Sequence, residues 1–151
     1  MAGPLRLTPD FREFAELLNA RSVRYLVVGG VAVGFHGHPR YTGDTGVWID
    51  RSAENAARVM SALTAFGFGS VGVTVADLSD EDAVIQLGYP PNRIDLLTQL
   101  AGVSFDACWE RRESVGVDGV DLPLIALDDL LANKRALGRK QDDADIDALG
   151  G

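Results

Sequence analysis

Hydrophobic residues recur at helical spacing in two stretches of the sequence. In the first, apolar positions follow one another at i, i+3, i+4 and i+7, which predicts a helix with one buried face. These positions are Phe11, Phe14, Ala15 and Leu18. Thr8 and Pro9 precede them as an N-cap and a first helical residue. A second helix is predicted between Ser52, as cap, and Gly67, as stop. Its apolar positions are Ala56, Val59, Met60 and Leu63.

Extended segments alternate with these helices. The predicted strands cover residues 23–28, 47–50, 83–87 and 93–98, with a further hairpin at Asp118-Gly119. Shorter helices are predicted over residues 31–38, 104–112 with Ser104 as cap, 128–137 closed by Gly138, and 141–149. The alternation is typical of an α/β or α+β fold. A length of 151 residues without a linker or repeat predicts a single domain over residues 1–151.

Charge, apolar run length and cysteine content limit the partners and the location that we expect for this protein. Fourteen basic and 22 acidic side chains give a net charge of −8, which disfavours a protein that coats nucleic acid or an anionic membrane. No stretch reaches the ~20 apolar residues of a membrane span. The single cysteine, Cys108, cannot form an internal disulfide, as expected of a protein in a reducing compartment. The expected location is therefore the cytoplasm, without a membrane partner.

Two glycines directly after a predicted strand are the first candidate for chemistry. Gly29 and Gly30 would let a phosphate approach the backbone, and a following helix would offer N–H groups to the anion. The alternative is a tight turn between strand and helix. Neither a P-loop nor the G-x-G-x-x-G pattern is present.

Two aspartates, one that leads into a predicted strand and one that interrupts another, are the second candidate. Asp44 leads into a strand after a glycine turn, and Asp95 lies between Ile94 and Leu96. A carboxylate in such a strand usually has a charged partner or a metal ion. The alternative for Asp95 is an ion pair with an arginine such as Arg93.

Four segments in this order resemble small bacterial nucleotidyltransferases of the polymerase-beta-like superfamily, including the branch associated with toxin–antitoxin systems. The segments are Gly29-Gly30, residues 41–44, residues 91–97 and residues 133–139. The resemblance implies an α/β fold in which a small mixed, twisted sheet carries the aspartates and helices back it.

The resemblance also implies a metal site. The family pattern has Asp-x-Asp on one strand and a third aspartate on a neighbouring strand. By resemblance Asp44 is the first of these aspartates and Asp95 is the third. The resemblance implies that both are catalytic residues and ligands of Mg²⁺ or Mn²⁺. The second falls on Gly46, which has no side-chain oxygen. Two carboxylates can still hold one Mg²⁺ together with waters and phosphates, and we expect those of Asp44 and Asp95 within ~5–7 Å of each other. A further alternative is that position 46 needs glycine for a positive φ.

A nucleoside triphosphate is the expected ligand of the remaining site residues. These are Gly29, Gly30, Arg40, Thr42 and Lys134, of which Lys134 matches the family's lysine near the triphosphate. Alternatively, Arg40 pairs with Asp44, and Lys134 is placed only to favour the end of its helix.

The resulting function hypothesis is a metal-dependent transfer of a nucleoside monophosphate to a hydroxyl of RNA, a protein or a small molecule, impaired by Gly46. The alternative is a catalytically degenerate module that binds a nucleotide or a protein partner, in the manner of an antitoxin.

Overall fold

The structure, a computed structural model, describes residues 7–37, 44–67, 72–89 and 93–150, and for Asp44 the backbone alone. In these ranges six strands form one sheet in the order β3-β4-β2-β1-β6-β5. The strands are β1 Tyr25–Val28, β2 Asp44–Ile49, β3 Val84–Leu87, β4 Arg93–Leu97, β5 Glu113–Val117 and β6 Val120–Leu124.

Helices accompany the sheet along the chain. They are α1 Pro9–Ala20, α2 Gly29–Phe35, α3 Ala53–Phe66, α4 Val75–Leu78, α5 Phe105–Glu110, α6 Leu127–Leu137 and α7 Lys140–Ala148. The fold class, α/β with a mixed sheet backed by helices, is confirmed. None of the helices in the described ranges combines the length and the apolar character that crossing a bilayer requires.

The sheet is mixed because antiparallel and parallel pairs alternate across it. The hairpins β3–β4 and β5–β6 are antiparallel, as is the central pair β1–β2. The pairs β2–β4 and β1–β6 are parallel, and neither joins strands that are consecutive in the chain. This order places the two strands that carry the predicted aspartates, β2 and β4, side by side.

The two helices with clear periodicity form as predicted. The Thr8 hydroxyl accepts a hydrogen bond from the Phe11 amide at 3.2 Å, and the four predicted apolar residues of α1 are buried. The Ser52 hydroxyl accepts from the Asn55 amide at 3.3 Å, and α3 ends at Gly67 in the left-handed conformation. Caps and apolar spacing therefore determine these helices locally.

Other element boundaries differ from the predicted ones. The helix α2 begins at Gly29 instead of residue 31, and β2 begins at Asp44 instead of residue 47. The extension of β2 brings position 46 into the sheet. Ser104 precedes α5, but its side chain makes no capping hydrogen bond. The short helix α4 was not predicted; a capping box between Thr74 and Asp77 stabilises it.

Candidate functional site

Strand pairing aligns Val28, Gly46 and Asp95 in one row across the sheet. Gly46 of β2 pairs with Val28 at the end of β1 and with Asp95 of β4. Paired residues of neighbouring strands project from the same face of a sheet. The turn at Gly29 therefore lies next to the position of the missing second aspartate, and Asp95 lies on its other side.

A cavity of about 380 Å³ opens beside this row. Five residues singled out in the sequence line it: Gly29, Gly30, Gly46, Asp95 and Lys134. Its volume lies within the ~300–1,000 Å³ that is usual for small-molecule sites. We call it the Asp95 cavity. The fold thus brings together residues that are far apart in the sequence.

Gly29 has a backbone conformation that favours glycine. Its φ is +70°, in the left-handed region. A Cβ atom built at this position would meet nothing within 4 Å, so the backbone and not crowding accounts for the glycine. The turn that the sequence predicts at this point is present, with its backbone bordering the Asp95 cavity.

Asp95 forms an ion pair with Arg93, two residues earlier on the same face of β4. The Nε and Nη2 atoms of Arg93 donate to the two carboxylate oxygens of Asp95 at 2.8 and 3.2 Å. The side chains are 24% and 20% exposed, respectively. This is the alternative partner that the sequence suggested for Asp95. The pair compensates the charge of Asp95 in the absence of a ligand, because a two-point contact to guanidinium is among the stronger charged hydrogen bonds.

Asp44 and Gly46 occupy the first and third positions of β2. The backbone of Asp44 pairs with that of Arg93, so Asp44 and Asp95 lie on adjacent strands, as expected. The distance between their carboxylates stays a prediction, because the side chain of Asp44 is outside the described part of the structure. Arg40 and Thr42 lie outside the described residues as well.

Gly46 does not have a positive φ, so the interpretation that its backbone needs glycine is wrong. A Cβ at position 46 would lie 3.1 Å from Cγ2 of Val28 and 3.4 Å from its carbonyl oxygen. A side chain at this position therefore requires the buried, β-branched Val28 side chain to shift by a few tenths of an ångström.

By residue type, Asp44 and Asp95 would suit one hydrated Mg²⁺, whereas a two-metal centre would lack its bridging carboxylate. Within the ranges that the structure describes, no three His, Cys, Asp or Glu side chains converge as metal ligands. A carboxylate from each of Asp44 and Asp95, completed by water and substrate phosphates, matches the usual donor set of Mg²⁺. Two ions ~3.5–4 Å apart require a bridging carboxylate, and Gly46 cannot supply it.

Lys134 lines the Asp95 cavity, but its ammonium group is already paired. The Nζ atom lies 3.3 Å from Oδ1 of Asp142 and 2.9 Å from Oδ2 of Asp145. All three side chains are at most 4% exposed. Arg139 also donates from Nε to Oδ2 of Asp142, at 2.6 Å. Two cations and two carboxylates therefore compensate one another where α6 meets α7.

The hydrogen bonds from Arg139 lower the pKa of Asp142 below its ordinary value. Burial opposes this effect, and the hydrogen bond from Lys134 adds to it. Sequence reasoning singled out Lys134 in this group and missed both aspartates. Their spacing of i, i+3 on a polar helix was the available signal, because it places them on one face of α7.

The architecture is shared with nucleotidyltransferases of known structure. A candidate nucleotidyltransferase from Thermotoga maritima matches with a TM-score of 0.62 at 17% identity, over 93% of this chain and 92% of its own. The lincosamide antibiotic adenylyltransferase LnuA, solved with lincomycin bound, matches with a TM-score of 0.57 at 15% identity, over 97% and 99% of the two chains. At such identities the likeness is one of fold.

A third structure is similar over most of this chain. It is an antigenic nucleotidyltransferase-like protein from Paracoccidioides brasiliensis, with a TM-score of 0.50 at 18% identity, covering 96% of this chain and 76% of its own. No protein-family profile and no curated protein sequence matches this chain.

Proposed function

We propose that this chain binds a nucleoside triphosphate in the Asp95 cavity and transfers its nucleoside monophosphate to a hydroxyl acceptor. One observation carries the proposal: Gly29, Gly30 and Asp95 border one cavity in a fold shared with nucleotidyltransferases. The chain acts as one domain, and its lone cysteine, Cys108, agrees with a cytoplasmic location.

The triphosphate is bound by backbone and by basic side chains. The absence of a Cβ at Gly29 and Gly30 lets phosphate oxygens approach the main chain. Arg40 and Thr42, just before β2, and Lys134 on the cavity wall complete the phosphate contacts.

Asp44 and Asp95 are the proposed holders of one Mg²⁺ or Mn²⁺. When bound, such an ion neutralises phosphate charge and the charge that builds up on the leaving group. For Asp95 this requires that Arg93 gives up its two hydrogen bonds to the carboxylate.

The transfer itself is a substitution at the α-phosphorus. The acceptor oxygen forms a bond to the α-phosphorus, and the bond from that phosphorus to the oxygen bridging to the β-phosphate breaks. Pyrophosphate leaves, and the hydroxyl proton passes to solvent. The acceptor classes are a hydroxyl of RNA, of a protein or of a small molecule.

A catalytically degenerate module is the second candidate function, and two observations favour it. Position 46, directly beside Asp95, carries no carboxylate, and Arg93 holds Asp95 from the same strand. Loss of one charge-stabilising group in such a site costs several kcal/mol of transition-state stabilisation. Such a module would bind nucleotide or a protein partner, as in the toxin–antitoxin-associated branch, without turnover.

Calorimetric titration with each of the four ribonucleoside triphosphates, with Mg²⁺ and with EDTA, tests the binding site. We expect binding that Mg²⁺ strengthens, together with release of pyrophosphate when an acceptor is present. Binding without pyrophosphate release selects the degenerate module. Absence of binding for all four nucleotides under both conditions contradicts the transferase and the nucleotide-binding form of the degenerate module, and leaves only a module that binds a protein partner.

Asp95→Asn tests the metal assignment. We expect it to weaken nucleotide binding in Mg²⁺ by about tenfold, the scale of one lost ligand, and not to weaken binding in EDTA. Asp82→Asn is the matched control, because Asp82 is an exposed carboxylate on the wall of the same cavity. Equal losses for Asp95→Asn in Mg²⁺ and EDTA would show that Asp95 acts only by positioning Arg93.

A further inference from the structure

A second and larger cavity adjoins the Asp95 cavity. Its volume is about 570 Å³, and it lies where β2 and β4 end. The two cavities share Gln99 and Leu100. We propose that this second cavity binds the acceptor, and that the acceptor is a small hydroxylated molecule bearing a protonated amine. The inference rests on the proposed function, whose acceptor class it selects.

The position of the second cavity suits an acceptor. Trp48, which lines it, follows Gly46 by two residues on β2, so both project from the same face of the sheet about 7 Å apart. Trp48 pairs in the sheet with Leu97, which lines the Asp95 cavity. A molecule in the second cavity therefore lies along the same strands as the proposed nucleotide. In α/β folds, ligands commonly bind beyond the carboxyl ends of adjacent parallel strands.

The size of the cavity suits the small-molecule class among the three acceptor classes. A volume of about 570 Å³ corresponds to a ligand of sugar to drug size. The Trp48 and Phe105 rings form an edge-to-face pair at 5.1 Å and contribute aromatic surface to the wall. Aromatic walls with a few polar groups are the usual composition of a small-molecule site.

The charges at the second cavity favour a cation. Three carboxylates line it, from Asp50, Glu81 and Asp106, against the single guanidinium of Arg51. Arg24 contacts Asp50 at 3.1 Å and Asp106 at 3.5 Å, which compensates these two in part.

Glu81 has no ion-pair partner among the residues with described side chains. The net charge of −8 also attracts cations, as the uncompensated carboxylate of Glu81 does. An RNA acceptor would bring phosphates to this acidic rim, where they are repelled.

Titration with glucosamine tests the proposal, with N-acetylglucosamine as the neutral match and tryptophan fluorescence as the readout. The measurement is made without nucleotide, at a pH where the glucosamine amine is protonated. We expect glucosamine to bind at least about tenfold more tightly than its acetylated match. Glu81→Gln should weaken glucosamine binding by about fivefold, the scale of one partly exposed ion pair. Asp147→Asn, which removes an exposed carboxylate that lines neither cavity, should leave it unchanged.

Equal affinity for the two sugars, no binding of either, or no effect of Glu81→Gln would each overturn the acceptor assignment. Transfer of labelled nucleotide to RNA or protein in preference to glucosamine would do so too. The outcome is separable from that of the proposed function. Nucleotide binding without glucosamine binding removes the acceptor site alone, whereas glucosamine binding without nucleotide binding removes the nucleotidyltransferase function.

Discussion

Gly46 is the residue at which this chain departs from the pattern that it resembles. It lies between Val28 and Asp95 in the sheet, at the border of the Asp95 cavity. Since its φ is not positive, the backbone accepts an L side chain. The obstacle is the Val28 methyl group at 3.1 Å from the position of a Cβ.

We predict that Gly46→Asp raises the affinity for Mg²⁺ or Mn²⁺ and makes nucleotide transfer appear or increase. The new carboxylate would project from the same strand face as Asp95. Without metal the variant should be less stable, because like charges repel until a cation binds. Metal should therefore raise its melting temperature more than that of the parent, which thermal unfolding with Mg²⁺ and with EDTA measures.

Gly46→Ala is the control for this substitution, because alanine adds the Cβ without a ligand. We expect Gly46→Ala to lower the free energy of unfolding by about 1 kcal/mol, because its Cβ comes too close to the Val28 side chain. Adding Val28→Ala to the same chain should remove that close contact. If Gly46→Ala folds and Gly46→Asp gains neither metal affinity nor transfer, position 46 is not a vacant ligand site. The catalytic half of the proposed function then fails.

At the scale of elements, α6 and α7 are held together by what we call the buried ionic group. It consists of the buried side chains of Lys134, Asp142 and Asp145 together with the exposed Arg139. Removal of one member of a buried ion pair is costly because the remaining charge is left without compensation. A structural role for Lys134 therefore accompanies the role at the triphosphate that the sequence predicted. Both are compatible with its place in the wall of the Asp95 cavity.

We predict that Lys134→Ala lowers the free energy of unfolding by about 3–5 kcal/mol, which urea titration measures. Lys134→Ala with Asp145→Asn should be less destabilised, because Asp142 keeps its contact with Arg139. In that double variant we expect ATP binding to weaken more than AMP binding, since a point charge on the cavity wall acts mainly on the distal phosphates. Equal weakening of the two nucleotides would leave Lys134 with the structural role alone.

At the scale of the whole molecule, the buried ionic group ties stability to pH. Asp142 has a lowered pKa in the folded chain, mainly through its hydrogen bonds with Arg139. An unfolded aspartate titrates near pH ~3.9. The stabilisation is therefore fully present above that value and is lost as the pH falls through the lower pKa of the folded state.

We predict that the free energy of unfolding falls as the pH decreases below about 4, and that Asp142→Asn falls less steeply over the same interval. Asparagine keeps the shape of the side chain but cannot take up the proton. Urea titrations of both chains between neutral and acidic pH measure the two slopes. Parallel slopes would exclude Asp142 as a source of the acid sensitivity. Asp128→Asn, outside the ionic group, is the matched control.

Local signals in the sequence determined the elements. Caps and apolar spacing predicted α1 and α3 closely, because those signals lie within a few residues of the helices they specify. The fold class followed from the order of elements and from resemblance. The predicted boundaries were wrong where the chain has few such signals. At the start of β2, for example, pairing with β1 and β4 extends the strand beyond its predicted length.

The composition of the site was also predictable, whereas its arrangement was not. The pattern of residues singled out Gly29, Asp95 and Lys134, and it offered both metal and Arg93 as partners of Asp95. Only the tertiary structure placed Gly46 in register with Asp95, gave Lys134 its two carboxylates and set a second cavity beside the first. Strand register and helix docking depend on contacts between distant segments, and no local pattern encodes which distant segment a residue will meet.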